Sequence, residues 1–401
     1  MTDPTALPLE GVRVIDIATV IAGPGTTARL SDFGADVIKV EHPTQGDTAR
    51  NLGWKSGDVS LLWKHVGRNK RPVTLNLSHP EGQDLLLQLV GTADVLVESF
   101  RPGTLERWNL APDRLLERNP KLVILRTSGF GQTGPYAPRP GFGSLAESLS
   151  GLAHMTGFPD GPPVLPAVAL ADEVAGLMGA FGVMLALYQR DARGGAGQVI
   201  DLSLVESLFS LVGPIAAVYD TLGVIPGRIG NRIVYSAPRG AFQTRDGSWV
   251  AISGTSQSVA ERILTVIGRP ELMLDPLFAT NQARLANVDA LDEVIEAWFA
   301  EHDLDEVLRL MEEHHAAAAP ILDAAGIVAD PHYVARETLE RHPDEELGSV
   351  LLVKPHPRLS ATPGRVEHPG LPAGSANDEV YRKELGLTEE DLEGLRERGV
   401  I

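Results

Sequence analysis

The sequence contains no cysteine among its 401 residues. A disulfide framework, a thiolate nucleophile and any Cys-ligated zinc or iron–sulfur cluster are thereby excluded. An excess of basic charge is missing too, since 35 Lys and Arg against 53 Asp and Glu give a formal charge of −18. Nucleic acid and anionic membrane surfaces both require a net basic face, so neither is expected as a partner. There is no low-complexity run that would argue disorder, and no repeat that would argue a solenoid. The P-loop pattern, G-x-S-x-G and H-E-x-x-H are absent, which disfavours P-loop nucleotide chemistry, an elbow-type serine hydrolase and a zincin. No metal is expected either. His314 and His315 are adjacent on a predicted helix and point about 100° apart, which is poor for chelation, while His65 and His154 have no partner recognisable in sequence. The opening MTDPTALPLEG carries neither a basic n-region nor an apolar h-region, so a cytoplasmic protein is expected.

What is present is ordinary globular material, with 43% hydrophobic residues available for a core. Val12–Ile17 (VRVIDI) reads as strand, Thr26–Phe33 as helix and Asp36–Glu41 (DVIKVE) as strand. The pattern recurs with helices around Glu81–Val90 and Leu105–Arg118 and strands at Asp94–Glu98 and Leu122–Arg126. Strands alternating with helices predict an α/β fold with a parallel sheet covered on both faces. A second apolar stretch, Leu202–Tyr219, is expected to pack within that domain. Character changes at the Gly- and Pro-rich Leu222–Arg239. AFQTRDGSWVAIS then reads as a hairpin turning at Asp246-Gly247, followed by helices around Val259–Ile267, Leu291–Glu301 and Leu304–His314. These features set a large domain over 1–220, a smaller α+β domain over 225–325 and a C-terminal segment over 326–401. The tail ends in a helix opened by Thr388 with Asp391 three residues on, a capping-box variant.

From Lys39 to Arg71 the local charge reverses. Lys39, Arg50, Lys55, Lys64, Arg68, Lys70 and Arg71 outnumber Glu41, Asp47 and Asp58, which fits either a polyanionic ligand or a solvated basic face. Pro166–Arg190 (PAVALADEVAGLMGAFGVMLALYQR) places an acidic pair, Asp172 and Glu173, at the mouth of an apolar helix. Asp172 falls where an N-cap is expected, and the orphan N–H groups and dipole of the helix would keep its carboxylate ionised. Apolar residues on every face predict a buried core helix, too short and too glycine-rich for a membrane span. At this level a cap and a functional carboxylate both account for Asp172. Gly23 to Ala28 fits G-x-G-x-x-A, with Glu41 where a ribose-binding acid would sit, the pattern of a dinucleotide-dependent oxidoreductase. Pro24 removes an N–H and fixes φ inside that turn, which disfavours a phosphate cradle.

Taken in order, LEGVRVIDIATVIAGPGTT (Leu9–Thr27), GADVIKVEHPTQGD (Gly34–Asp47), NKRPVTLNL (Asn69–Leu77), ADVLVESFRPGTLER (Ala93–Arg107), SGFGQTGPY (Ser128–Tyr136) and ALADEVAG (Ala169–Gly176) resemble CoA-transferase family III. That group includes formyl-CoA transferase, carnitine CoA-transferase and α-methylacyl-CoA racemase, and the resemblance spans essentially the whole chain. It implies a Rossmann-like large domain built from both chain ends, a smaller α+β domain and a homodimer whose chains interlock like linked rings. It also implies that Asp172 is the nucleophile, that an acyl-CoA and a small carboxylic acid are the substrates, and that no cofactor is tightly bound. A carboxylate attacking a thioester forms a mixed anhydride and then an aspartyl-CoA thioester, so the acyl group stays activated without ATP.

The resemblance carries CoA contacts to Ile21, Ala22, His42, Leu75, Ser99, Phe100, Arg101, Arg107, Phe142 and Gly143, with Arg101 and Arg107 meeting phosphates. All but Leu75 follow strand ends or their loops. A substrate loop is implied at Tyr235, Ser236, Pro238, Arg239 and Gly240, where Arg239 either holds an acceptor carboxylate or faces solvent. The sequence departs from the family at several of these places. Position 42 is a histidine, only partly charged near neutrality, and Gly141 stands where a lysine is usual. Phe142 replaces the proton-transferring histidine of the racemases, so racemisation is disfavoured, although Glu147 and Glu173 offer alternative proton carriers. Gly143 replaces an acid of the formyl-CoA group, so oxalate is not supported as acceptor. The donor expected from the family is a small dicarboxylic acyl-CoA such as succinyl-CoA. An NAD(P)-dependent oxidoreductase and a non-catalytic CoA-binding protein are the alternatives of other classes.

Overall fold

The computed structural model describes residues 6–401; the first five lie outside the described residues. The chain divides into two units. One comprises the described residues up to Leu152 with Leu165–Thr221 and Ala335–Ile401, the other Ala153–Val164 with Leu222–Val334.

Six parallel strands form the sheet of the first unit: β1 (Arg13–Asp16), β2 (Asp36–Glu41), β3 (Lys70–Thr74), β4 (Val95–Glu98), β5 (Val123–Ser128) and β6 (Val199–Ser203). They lie in the order β3-β2-β1-β4-β5-β6. In this doubly wound order the topology reverses between β1 and β4, and ligands bind beyond the carboxyl ends of the strands at that switch. Side-chain alternation sorts the strands into two cores. Val14, Val37, Val95, Val97, Val123 and Leu125 face one side with Val183 and Leu187. Ile15, Ile38, Leu96 and Ile124 face the other with Leu86, Leu89, Tyr381 and Leu392. Both faces are thus apolar, which is why these strands read as continuous hydrophobic runs rather than as alternating ones.

The helices of this unit that bear on the site are α1 (Ala22–Ser31), α2 (Pro80–Val90), α3 (Thr104–Arg107), α4 (Pro112–Arg118), α5 (Gly143–Leu149), α6 (Leu170–Ala192) and α7 (Leu204–Phe209). The single helix expected over Leu105–Arg118 is therefore two, divided where Asn109 takes a left-handed φ of 55° before Pro112 starts the next helix. Two strands of the six-stranded sheet also lie where none was expected. β3 is hidden in sequence by its charges, yet Lys70 is fully buried and bonds Asp16 across the sheet at 3.0 Å. β6 is an edge strand with Val199 and Asp201 exposed, and only its end overlaps the apolar stretch.

α6 corrects a further expectation. It is 23 residues long with a mean hydropathy of 1.6 over an 18-residue window, long and apolar enough to cross a membrane by length and composition. It packs one face on the sheet core and on α1, but Leu177, Phe181, Leu185 and Tyr188 on the other face are exposed. The helix is therefore amphipathic in placement, not buried all round.

In the second unit β7 (Arg239–Gln243), β8 (Trp249–Ser253) and β9 (Ala318–Pro320) form an antiparallel sheet in the order β9-β8-β7. The hairpin turns through Gly247 at φ 83°, with Asp246 accepting from the Ser248 amide at 3.2 Å. Phe242, Val250 and Ile252 pack on α8 (Gln257–Val266), α9 (Val288–Phe299) and α10 (Leu304–Glu313). In the first unit again, β10 (Leu339–Asp344) and β11 (Gly348–Val353) form a hairpin, and α11 (Glu389–Glu397) starts with the capping box of Thr388 and Asp391.

Candidate active site

A cleft of about 280 Å³ opens at the carboxyl ends of β1, β4 and β5, at the switch point of the sheet. Thr19, Val20 and Ala22 line it from the β1 loop, and Ser99, Phe100 and Arg101 from the β4 loop. These two loops are tied together, because the Thr19 amide donates to Ser99 Oγ at 2.9 Å. Val20 has φ 74°, a conformation costly for a β-branched residue. Its amide is held by Asp47 Oδ1 at 3.0 Å. Beneath the loop Asp47 pairs with Lys39 at 2.8 Å and Asp16 with Lys70 at 3.0 Å, all fully buried. Burial pulls the Lys70 amine down to about 8 although Asp16 opposes this, whereas Asp16 and Asp47 outweigh burial at Lys39 and hold it above its ordinary value. A charged floor of this kind explains part of the basic run after Lys39: Lys39, Lys64, Lys70 and Arg68 are buried partners of acids rather than a ligand surface.

The oxidoreductase reading fails on the same loop. Gly23, Pro24 and Gly25 are not a phosphate cradle but the buried first turn of α1, and a Cβ on Gly23 would meet the Ala18 Cβ at 2.3 Å. Glu41 is bound by Arg50 through two bonds of 2.6 Å and is not free for a ribose.

The third side of the cleft is a glycine contact. Gly129 after β5 and Gly141 before α5 touch backbone to backbone, so that a Cβ on Gly129 would fall 2.5 Å from the Gly141 Cα. Thr127, Arg139, Phe142 and Asp172 line this part. The buried Thr127 hydroxyl has no hydrogen-bond partner among the described residues.

Asp172 does not cap α6. Ala169 occupies that place, and Asp172 is the third residue of the first turn. Its Oδ2 lies against Gly143, where a Cβ would come within 2.1 Å. Burial first, then the charges of Glu147 and Glu173, push its carboxyl up to about 6. The expected dipole-held ionisation is thus opposed by desolvation and like charge, although the group is still mostly ionised at neutral pH. Glu147 is buried and accepts from the Ala171 amide at 3.3 Å, while Glu173 is clamped by Arg29 at 2.5 Å. His65 is held neutral, its imidazole lowered to about 4 by burial and by Arg68.

Of the residues named from sequence, Ala22, Ser99, Phe100, Arg101, Phe142 and Asp172 meet at this cleft, and Gly143 supports it from behind. Ile21 precedes α1, and His42 is half-buried after β2 with its Nδ1 near the Thr44 amide at 3.3 Å; neither lines the cleft. Arg107 is exposed on α3, bonded to Thr104 Oγ1 at 2.9 Å. Leu75 is corrected in its place relative to the strands. It directly follows β3, and its side chain is 1% exposed in the core, which leaves no side-chain surface for a ligand. The loop Tyr235–Gly240 belongs to the second unit. There Tyr235 is exposed, Ser236 and Pro238 are buried, and Arg239 and Gly240 border a cavity with Ala251 and Ser253.

Thr19, Val20, Thr127 and Leu204 also line the cleft and were not singled out in sequence. The left-handed Val20 leaves no sequence signal, whereas Thr127 directly precedes the SGFGQTGPY motif.

The profile of CoA-transferase family III matches residues 9–377. Similar curated proteins include the succinyl-CoA–D-citramalate CoA-transferase of Chloroflexus aurantiacus, 40% identical over 98% of this chain and 98% of the relative. The succinyl-CoA–L-malate CoA-transferase beta subunit of that organism is 42% identical over 99% of each chain. The acetyl-CoA:oxalate CoA-transferase of Acetobacter aceti is 35% identical over 95% of this chain and 97% of the relative. Among solved structures, a CAIB/BAIF family protein from Brucella suis superposes with a TM-score of 0.83 at 31% identity, covering 94% of this chain and 99% of that one.

Proposed function

This chain belongs to CoA-transferase family III, and from that premise we propose that Asp172 carries CoA transfer as a covalent nucleophile. The enzyme moves CoA from an acyl-CoA donor to a carboxylic acid acceptor. The observation that supports the role of Asp172 is that it is the one carboxylate among the residues lining the cleft at the sheet's switch point. Its oxygen attacks the thioester carbonyl, the C–S bond breaks, and CoA leaves as the thiolate. The thiolate attacks the Asp172 carbonyl of the mixed anhydride, releasing the donor acid and leaving an aspartyl-CoA thioester. The acceptor carboxylate repeats the sequence in reverse and departs as its CoA thioester. Each state is an activated acyl compound, so neither ATP nor a cofactor enters.

Ser99, Phe100, Ala22 and the backbone of Thr19 and Val20 form the pantetheine side of the cleft, with His42 and Arg107 farther along the strand ends toward the phosphates. Arg101 and Arg139 have no carboxylate partner among the described residues and border the cleft with Asp172. Two guanidiniums without a carboxylate partner, that of Arg139 stacked over the Tyr136 ring at 3.8 Å, favour a dicarboxylic substrate, whose far carboxylate takes a bidentate contact. Relatives named for succinyl-CoA agree with that class. In the second unit Arg239 is likewise unpaired and available to a carboxylate. A second copy of the chain covers the exposed apolar face of α6, giving the homodimer.

The test is intact mass after incubation with succinyl-CoA and other acyl-CoAs, followed by hydroxylamine or borohydride trapping. An adduct mapping to Asp172 and absent from Asp172→Asn is expected. Deuterium exchange at the α-carbon of a 2-methylacyl-CoA with no adduct would instead make Asp172 a proton carrier and overturn the reading.

A further inference from the structure

Glu147 is 3% exposed, and its Oε1 takes the Ala171 amide proton at 3.3 Å. It makes no ion pair among the described residues. A buried carboxylate without a cation is expensive, and a glutamine would accept the same bond at no cost in charge. The hydrogen bond therefore does not account for a carboxylate at this place. What distinguishes it is its neighbour: Ala171 directly precedes Asp172, and α5, which carries Glu147, begins at the glycine that Asp172 touches.

Resting on the reading of Asp172 as nucleophile, we propose that Glu147 is a positioning residue whose buried negative charge destabilises ionised Asp172 and so favours the uncharged covalent aspartyl states. Attack forms the bond from the carboxylate oxygen to the acyl carbon and breaks the C–S bond, and the electron pair leaves on sulfur. Negative charge thus moves from a dry site beside Glu147 to the departing thiolate. The repulsion exists in the free enzyme and vanishes in both the anhydride and the aspartyl thioester, which lifts the start of the reaction toward its intermediates.

The other charges around Asp172 contribute less. Glu173 on its own helix also repels it, but more weakly than Glu147, and is paired with Arg29 of α1 at 2.5 Å. His65, in the short helix Leu61–Val66, is uncharged near neutrality. Glu206 on α7 is exposed to solvent, and Arg101 and Arg139, which stand on the cleft loops, are of opposite sign. After burial itself, Glu147 is the largest influence raising Asp172.

The experiment compares full-length wild type, Glu147→Gln and Glu147→Leu by two readouts. One is the pH dependence of the trapped adduct with succinyl-CoA. The other is a carbon-13 NMR titration of the Asp172 carboxyl in free enzyme, assigned against Asp172→Asn. Glu147→Gln keeps the acceptor for Ala171, and it is expected to move both the acid limb and the titration down by about half a pH unit or more. Adduct at neutral pH is expected to fall about threefold, the same factor expressed as an equilibrium. A Gln variant indistinguishable from wild type, with loss only in Glu147→Leu, would make Glu147 a structural acceptor and overturn the proposal. No adduct in wild type would overturn the nucleophile reading instead, and an unshifted free-enzyme titration would then overturn the Glu147 proposal separately.

Discussion

Asp172 and Gly143 form a pair in which the second residue is defined by what it lacks. A Cβ at 143 would stand 2.1 Å from Asp172 Oδ2, and the atom free to yield is the carboxylate rather than the backbone. Gly143→Ala is therefore expected to fold normally while displacing the proposed nucleophile. Misplacement on the order of 1 Å costs about a hundredfold in rate, so kcat should fall by about that factor with the melting temperature little changed. The electrostatics of Asp172 give a second prediction. Its folded-state carboxyl, at about 6, lies above the ordinary 3.8, so the native state binds its proton more tightly than the unfolded chain does. Native protein loses stability on this account as pH rises from about 4 to about 6, and the loss persists at neutral pH. Asp172→Asn removes the buried charge and should stabilise the protein by about 3 kcal/mol at pH 7.5 but not near pH 4, measured by urea unfolding at both. In its proposed role as nucleophile the same group should set activity in the opposite sense, because its carboxylate is lost as pH falls through about 6.

At the scale of the element, the site depends on how closely α6 approaches α1. A Cβ on Gly179 would lie 2.4 Å from Thr26 Oγ1 and 3.1 Å from Leu125 Cδ2, so the two backbones close to a distance only glycine allows. Gly179→Ala is expected to cost about 1–3 kcal/mol through overpacking, read as a shift in urea midpoint. Because α6 carries Asp172 two turns away, kcat should fall as well. Which elements were readable in sequence follows from the same packing. β1, β2, β4 and β5 stood out because they lie inside the sheet and are apolar on both faces. β3 and β6 are the sheet's edges. There a buried Lys70, satisfied by Asp16 and the Pro24 carbonyl, and exposed residues of β6 blur the apolar run. Asp172 was legible through the motif around it, and the loops at Ile21–Ala22 and Ser99–Arg101 through their position after strands. Val20 was not, because its left-handed backbone is imposed by Asp47, 27 residues away in sequence.

For the whole molecule the balance lies between charge and exposed apolar surface. Each chain carries a formal −18, so two copies repel at long range and any self-association must be driven by desolvation at short range. The outer face of α6 offers that drive, with Leu177 at 56%, Phe181 at 61%, Leu185 at 54% and Tyr188 at 61% exposure along a single stripe. Side chains repeating every third or fourth residue on one helix face make a continuous apolar strip rather than scattered exposure. A homodimer built on this strip should tighten with salt, since screening removes the repulsion and leaves apolar burial intact. Light scattering on a sizing column is expected to show a dimer whose dissociation at low concentration is reduced by raising sodium chloride. Phe181→Glu should shift the population toward monomer at every salt concentration, because it places a charge in a surface that must be desolvated. Phe181 also lies two turns and more from Asp172 on the same helix, so an effect on oligomeric state without loss of the Asp172 adduct would separate assembly from chemistry. A dimer that weakens with salt, or one untouched by Phe181→Glu, would show that charge pairs or another surface hold the two copies.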